Sequence, residues 1–129
     1  RTVDSCKVEL RRAQCLVKLP NPVLDFRNTF AQYVVKPNPG ADMGKIMAQV
    51  KVAAGIWKRH GADVSFWVVS MGEAGNLVVA CRFDSIQAYG KAADAVTADP
   101  AFAAWQAESA TSGLTSWVRS NLARAIPLD

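Results

Sequence analysis

His60 is the only histidine in the chain, and its residue type makes it the first candidate for a general base. An imidazole has an ordinary pKa of about 6.5, so it can exchange protons near neutral pH. Its place in Lys58-Arg59-His60-Gly61, at the predicted end of a helix, has a structural explanation as well, because positive charge there opposes the helix dipole favourably. We favour the structural role and keep His60 as a catalytic candidate.

Aromatic side chains supply the next candidates. Tyr33 and Tyr89 carry hydroxyl groups that can position a ligand or transfer a proton, and Phe66, Trp67 and Trp105 offer apolar surfaces for binding. Taken singly, such residues most often fill a core or an interface. Taken together, they predict an aromatic pocket for a planar ligand or an acyl chain.

Two arginines fall inside predicted strands, where charged residues are uncommon. Arg82 and Arg119 would need carboxylate partners or an anionic ligand if they were buried. At a strand end they would simply reach water, which is the commoner case. Both are retained as candidate substrate-binding residues, whereas Cys81 in the same strand as Arg82 is expected to be an inert buried thiol.

Motifs for metal, nucleotide or covalent chemistry are not found in the sequence. One histidine without a neighbouring acidic motif argues against most metal sites. GxSxG, HExxH, GxGxxG and P-loop spacings are lacking, and no serine has an identifiable histidine partner. We therefore expect neither a metal nor another cofactor.

Composition narrows the class of protein. The chain has 129 residues, of which 50% are apolar, and this suits one globular domain with a real core. Most of the net charge of +4 falls within residues 1–27, so the domain itself lacks the basic stripe of a nucleic-acid binder. No apolar run reaches the roughly 18 residues of a membrane span. Three cysteines without CxxC spacing predict a reducing, cytoplasmic location.

Residues 1–28 differ from the rest of the chain. They have no sustained apolar period, and Pro20 and Pro22 interrupt them. We expect an N-terminal arm that docks on the domain or on a partner, or a non-native extension, followed by a domain at 29–129.

Within that domain, apolar periods and turn residues define the elements. Strand one is predicted at 29–36, and a helix follows Asp42 and ends at Gly61. Strands at 63–71 and 76–83 form a hairpin around Gly72-Glu73-Ala74-Gly75. Asp84 or Ser85 caps the next helix, which restarts at Asp99-Pro100, and 114–126 contains the last strand.

The element order β-α-β-β-α-β predicts an α+β, ferredoxin-like fold with an antiparallel four-stranded sheet. A sheet with one open face alternates polar and apolar residues. Residues 66–69 and 77–80 are instead apolar in succession, so both faces of the sheet need burial. The chain's own helices cover one face only, and we therefore expect a homodimer.

The run from residue 83 to 105 resembles the dimeric α/β-barrel superfamily. The resemblance covers about 29–127 and is carried by Phe83-Asp84-Ser85, Ala88-Tyr89, Asp99-Pro100 and Phe102. It implies that two sheets pack face to face in a homodimeric barrel and that ligands bind between sheet and helices. Members include antibiotic-biosynthesis monooxygenases that need no cofactor, haem-degrading monooxygenases, muconolactone isomerases, polyketide cyclases, and uncharacterised, including stress-responsive, proteins.

The resemblance also narrows the activity. Its haem-degrading branch relies on a histidine in the second helical region, and residues 85–110 contain none. The leading hypothesis is a small cytoplasmic enzyme that acts on a hydrophobic or aromatic molecule by cofactor-free oxygenation or acid/base rearrangement. The alternatives are a lactone or ester hydrolase and a non-catalytic ligand-binding or structural dimer module.

Overall fold

Seven elements follow one another in the computed structural model, which describes residues 28–126 and residue 128. They are β1 (Thr29–Pro37), α1 (Met43–Arg59), β2 (Asp63–Val68), β3 (Leu77–Phe83), α2 (Ile86–Ala98), α3 (Pro100–Ser112) and β4 (Thr115–Arg124). None of these described helices is long and apolar enough to cross a membrane. The predicted arm at 1–28 lies, apart from Asn28, outside the described residues.

The four strands form one antiparallel sheet in the order β2-β3-β1-β4. Among the described strands, the first and the last therefore lie side by side, and the β2–β3 hairpin occupies the other half of the sheet. With the helices, this arrangement confirms the predicted ferredoxin-like α+β fold. The second helical region is divided into α2 and α3 at Asp99-Pro100, as the sequence predicted.

Short polar side chains start each helix. Asp42 accepts hydrogen bonds from the amides of Gly44 and Lys45, and Ser85, not Asp84, accepts one from Ala88 at the start of α2. These bonds satisfy amides that have no partner within the helix.

Strand β2 ends at Val68, three residues earlier than predicted. The amide of Val69 donates to the carbonyl of Asn76, and the amide of Gly75 donates back to the carbonyl of Val69. These bonds close the turn before Ser70 and Met71 can pair with β3. Gly72 and Gly75 both have positive φ angles there, a conformation that favours glycine.

The two faces of the sheet differ in what covers them. Ala31, Cys81 and Val64 occupy one cross-strand row on the helix-covered face and belong to, or contact, the main hydrophobic cluster. Trp67 lies on the opposite face, one residue out of phase with Phe66, and its side chain is 60% exposed. The apolar succession in β2 thus divides between the two faces.

The β2–β3 turn reaches across the opposite face of the sheet. Glu73 Oε1 accepts a 2.6 Å hydrogen bond from Nη1 of Arg119, which lies on β4 at the far edge. Val34, the β1 partner of Arg119, is only 2% exposed. Val34 is therefore buried in the middle of this cross-strand row, whereas Trp67, at the β2 edge of the same row, is exposed to solvent.

Candidate functional site

The predicted site residues fall into separate regions of the described chain. Tyr33 and Tyr89 lie between sheet and helices, and Phe66 also points to that side from the edge strand β2. His60 and Arg82 line a surface groove. The remaining candidates, Trp67, Trp105 and Arg119, lie elsewhere, as described below.

The aromatic cluster, defined here as Tyr33, Trp57, Phe83 and Tyr89, lies between the sheet and the helices. The rings of Tyr33 and Trp57 stack with centroids 5.9 Å apart. The ring of Phe83 meets Trp57 at 6.0 Å and Tyr89 at 5.5 Å, both edge to face. Such contacts stabilise a core beyond the area they bury. The chain's own side chains thus occupy the region where the resemblance implied a ligand.

Burial keeps the polar atoms of this region protonated. Desolvation raises the pKa of the Tyr33 hydroxyl far above its usual value, and the neighbouring Tyr89 and Cys81 add to the effect. Burial also raises the pKa of the Cys81 thiol to about 12. A neutral phenol can donate a hydrogen bond but is a poor base. Cys81 is fully buried and free, so it has the properties of the inert thiol that the sequence predicted.

The groove beside His60 is an open depression of about 600 Å³. It is bounded by the end of α1, the start of β2, the end of β3 and one side of α2. Its lining comprises Arg59, His60, Gly61, Asp63, Arg82, Phe83, Asp84, Ala88, Lys91, Ala92 and Ala95. We call its apolar residues, Ala88, Ala92, Ala95 and Phe83, the floor and its charged residues the rim; small-molecule sites commonly combine the two kinds.

Asp99 holds His60 at the rim of this groove. Nε2 of His60 lies 2.9 Å from Oδ2 of Asp99, and Nη2 of Arg59 donates to the same oxygen at 2.6 Å. The other oxygen, Oδ1, accepts the Ala101 amide at 2.9 Å and caps α3. The bond to His60, followed by those from Arg59 and Ala101, holds the pKa of Asp99 well below its usual range.

An anionic acceptor on Nε2 determines which imidazole nitrogen can act as a base. Because the Asp99 carboxylate accepts only, Nε2 must carry a hydrogen, and in the neutral ring the lone pair then belongs to Nδ1. The His60 side chain is 25% exposed and Asp99 only 13%, so the carboxylate is screened from water while the ring reaches the groove. The same contact also ties the end of α1 to the start of α3.

Arg82, near the end of β3, also lines the groove. Its guanidinium donates to Asp63 at 3.0 Å and 3.3 Å and to Asp84 at 3.4 Å. Hydrogen bonding to Asp63 is the main reason that the pKa of Arg82 is raised further. Since Arg82 is held by two carboxylates, an anionic ligand would have to compete with both of them.

The other predicted contacts do not share the groove. Trp67 Nε1 donates to Ser65 Oγ at 2.8 Å on the opposite sheet face, which is also the face of Arg119. Trp105 stacks on Phe102 and donates to the Gln49 carbonyl at 2.9 Å, so it joins α3 to α1. Their roles as ligand-binding residues stay predictions.

Sequence reasoning missed the carboxylate partner of His60. Asp99 was identified only as a helix cap, because 39 residues separate it from the histidine and no local motif links them. Lys91, on the groove side of α2, was also missed. Its spacing of three and four residues from Ala88 and Ala95 places it on their helix face, and this was the one signal available.

Comparison with known proteins identifies the fold. No family model and no curated protein matches the chain. A NIPSNAP-like domain protein from Burkholderia xenovorans superposes with a TM-score of 0.60 at 10% identity, over 80% of this chain and 87% of that one. A NIPSNAP family protein of unknown function from Agrobacterium tumefaciens gives 0.60 at 13% identity, over 77% and 88%. SnoaB, a cofactor-independent oxygenase from Streptomyces nogalater, gives 0.53 at 12% identity, over 75% and 91%.

These similarities show a related α/β fold and no more. Sequence identities of 10 to 13% do not carry residue roles from one protein to another. The ferredoxin-like architecture is shared with both kinds of neighbour. The particular superfamily that the sequence resembles remains an expectation.

Proposed function

We propose that this protein binds a small apolar or aromatic molecule in the groove beside His60 and moves a proton on it. The observation that carries the proposal is the Asp99–His60 pair at the groove rim, with its 2.9 Å contact. A carboxylate that hydrogen-bonds to an imidazole beside apolar side chains is an arrangement suited to general acid/base chemistry.

The chemistry follows from the charges. Nδ1 of His60 takes a proton from an acidic C–H or O–H of the ligand, and the Asp99 carboxylate stabilises the imidazolium that results. The ligand anion is then reprotonated at another atom, which completes a rearrangement. Alternatively, the ligand anion adds to O₂, the oxidant, so that a C–O bond forms, and the peroxide anion takes the proton back from His60. Loss of water from the resulting hydroperoxide breaks its O–O bond and leaves a carbonyl group, which completes a cofactor-free oxygenation. The similarity in fold to a cofactor-independent oxygenase supports considering the second course.

Deuterium exchange into 2-tetralone, an enolisable aromatic ketone, tests the proposal. We expect the protein to accelerate exchange of the acidic C–H in D₂O, and His60→Asn to lower that acceleration by about 100-fold or more. Ala95→Leu narrows the groove and should lower it as well. Ala104→Leu, at an exposed position on α3, is the matched control. Exchange that persists in His60→Asn would refute the role of the histidine.

A non-catalytic binding or structural module is the second candidate. It is favoured by the mutual packing of the aromatic cluster between sheet and helices, and by the way Asp99 joins two helix ends. In that case His60→Asn alters thermal stability but produces no change in exchange. The hydrolase alternative has less support, because no serine is among the described residues that line the groove.

We also propose a homodimer formed through the face of the sheet opposite the helices. Support comes from Trp67, whose indole is 60% exposed on that face beside Val78. A large exposed apolar residue on a sheet often marks an interface. Sedimentation equilibrium is expected to give twice the chain mass, and Trp67→Glu is expected to shift the protein to monomer. A monomeric parent protein would exclude this arrangement.

A further inference from the structure

The charged residues at the groove rim are not equally matched by opposite charges. Arg82 has two carboxylates within 3.4 Å, those of Asp63 and Asp84. Arg59 has Asp99 at 2.6 Å, which it shares with His60. Both carboxylates that line the groove, those of Asp63 and Asp84, are therefore in ion pairs, and so is Asp99 behind His60.

Lys91 is the groove cation that these carboxylates leave unmatched. It lies on α2, exposed, and within the described part of the chain no carboxylate comes within 4.0 Å of its amine. Position 91 shares a helix face with Ala88 and Ala95, which also line the groove. Its aliphatic stem can therefore cover the apolar floor while the ammonium group stays at the mouth.

The floor next to Lys91 suits a flat apolar group. Ala88 and Ala95 are half-buried and offer methyl groups along α2, whereas Ala92 and Phe83 behind them are only 4% and 3% exposed. Phe83 is itself held in the aromatic cluster, which fixes the position of its ring. A rigid apolar surface of this kind prefers planar hydrocarbon over a polar chain.

We infer that the ligand class is an apolar, planar carboxylate whose anion meets Lys91 while its apolar part lies against Ala88 and Ala95. This inference rests on the proposed function, because it concerns the same groove. It adds the charge of the ligand, which the His60–Asp99 pair does not determine. Lys91 is then a binding residue, and His60 remains the group that exchanges the proton.

Binding of 2-naphthoate and of uncharged 2-naphthamide to the full chain tests the inference. The two probes have the same ring system and differ in charge, and their sites can be followed by amide chemical shifts in ¹H–¹⁵N spectra. We expect 2-naphthoate to bind about threefold to fivefold more tightly, the range expected for one exposed ion pair. Lys91→Gln should remove this difference, and Lys91→Arg should keep most of it.

Lys51→Gln provides the matched control, since Lys51 is exposed on α1 and does not line the groove. Added salt should reduce the preference in the parent protein and leave Lys91→Gln unchanged. Equal binding of both probes in the groove would overturn the inference and leave the proposed function standing. Shifts that avoid the groove for both probes would overturn the two together.

Discussion

The aromatic cluster and the groove hold two pairs of candidate residues in opposite environments. Tyr33 and Tyr89 lie among packed rings, where desolvation keeps the Tyr33 hydroxyl neutral. His60 and Arg82 lie near water and hydrogen-bond to carboxylates 2.9 to 3.4 Å away. Packing therefore dominates one region and electrostatics the other, and substitutions in the two should differ in both the size and the pH dependence of their effects.

Trp57→Ala is expected to have the largest effect on stability. The indole is 8% exposed and contacts both Tyr33 and Phe83, so its removal leaves a large cavity in the core. We expect a loss of about 3–5 kcal/mol in the free energy of unfolding, measured with urea. Trp117→Ala is the matched control, because Trp117 contacts Tyr33 but is 63% exposed, and it should lose about 1 kcal/mol. Similar losses would show that the cluster is not a packed core.

Cys81→Ser should lower stability by a smaller amount. The substitution places a hydroxyl next to Ala31 and Val64 on the covered face of the sheet, in an apolar environment. We expect a loss of about 1–3 kcal/mol from the desolvated hydroxyl. Cys81→Ala removes the sulfur without adding a polar atom, so chemical denaturation of the two variants separates packing from polarity. A more stable serine variant would contradict the apolar character assigned to this site.

Asp99→Asn should produce an effect that depends on pH. The folded pKa of Asp99 is lowered, so its contribution to stability is present above the unfolded value of about 3.9 and is lost as the pH falls towards the folded pKa. We expect the melting temperatures of the parent and the variant to differ at pH 6 and to converge below about pH 4. Asp94→Asn, at an exposed position on α2, is the control. A difference that is constant with pH would exclude a charge effect.

Asp63→Asn should have the smallest effect on stability. Asp63 is 73% exposed, and its partner Arg82 keeps a second carboxylate in Asp84. The free energy of unfolding should change by less than about 1 kcal/mol, because exposed ion pairs contribute little. Urea denaturation at low and high salt measures this directly. A loss as large as that of Trp57→Ala would remove the distinction between the two regions.

Features that depend on neighbouring residues were predictable from the sequence. Asp42 and the Asp99-Pro100 restart act within one helical turn, and the glycine-flanked turn at 72–75 joins adjacent strands. The ferredoxin-like fold followed from the order of elements along the chain, through a known pattern. Boundaries were less certain, because β2 ends where the turn's own hydrogen bonds begin.

The composition of the site depends on pairings across the chain. The sequence of β2 does not determine whether Phe66 or Trp67 points to the helices, because both are apolar. The pairing of Phe66 with Val79 on the neighbouring strand determines it. The carboxylate partner of His60 is Asp99, at the start of α3. Arg82, which lines the same groove, lies on β3. Aromatic residues that were expected to line one pocket therefore divide among the core, the contact between α1 and α3, and the face of the sheet opposite the helices.

The two oxygens of Asp99 have separate tasks, since Oδ1 starts a helix and Oδ2 holds Arg59 and His60. A descendant of this sequence that exchanged the aspartate for serine or asparagine would keep the helix start but lose the charge behind the imidazole. Glutamate would keep the charge but fit the helix start poorly. Few residues satisfy both demands, so substitution at this position is constrained by folding and by chemistry together. Retention of aspartate would therefore be expected under either kind of selection.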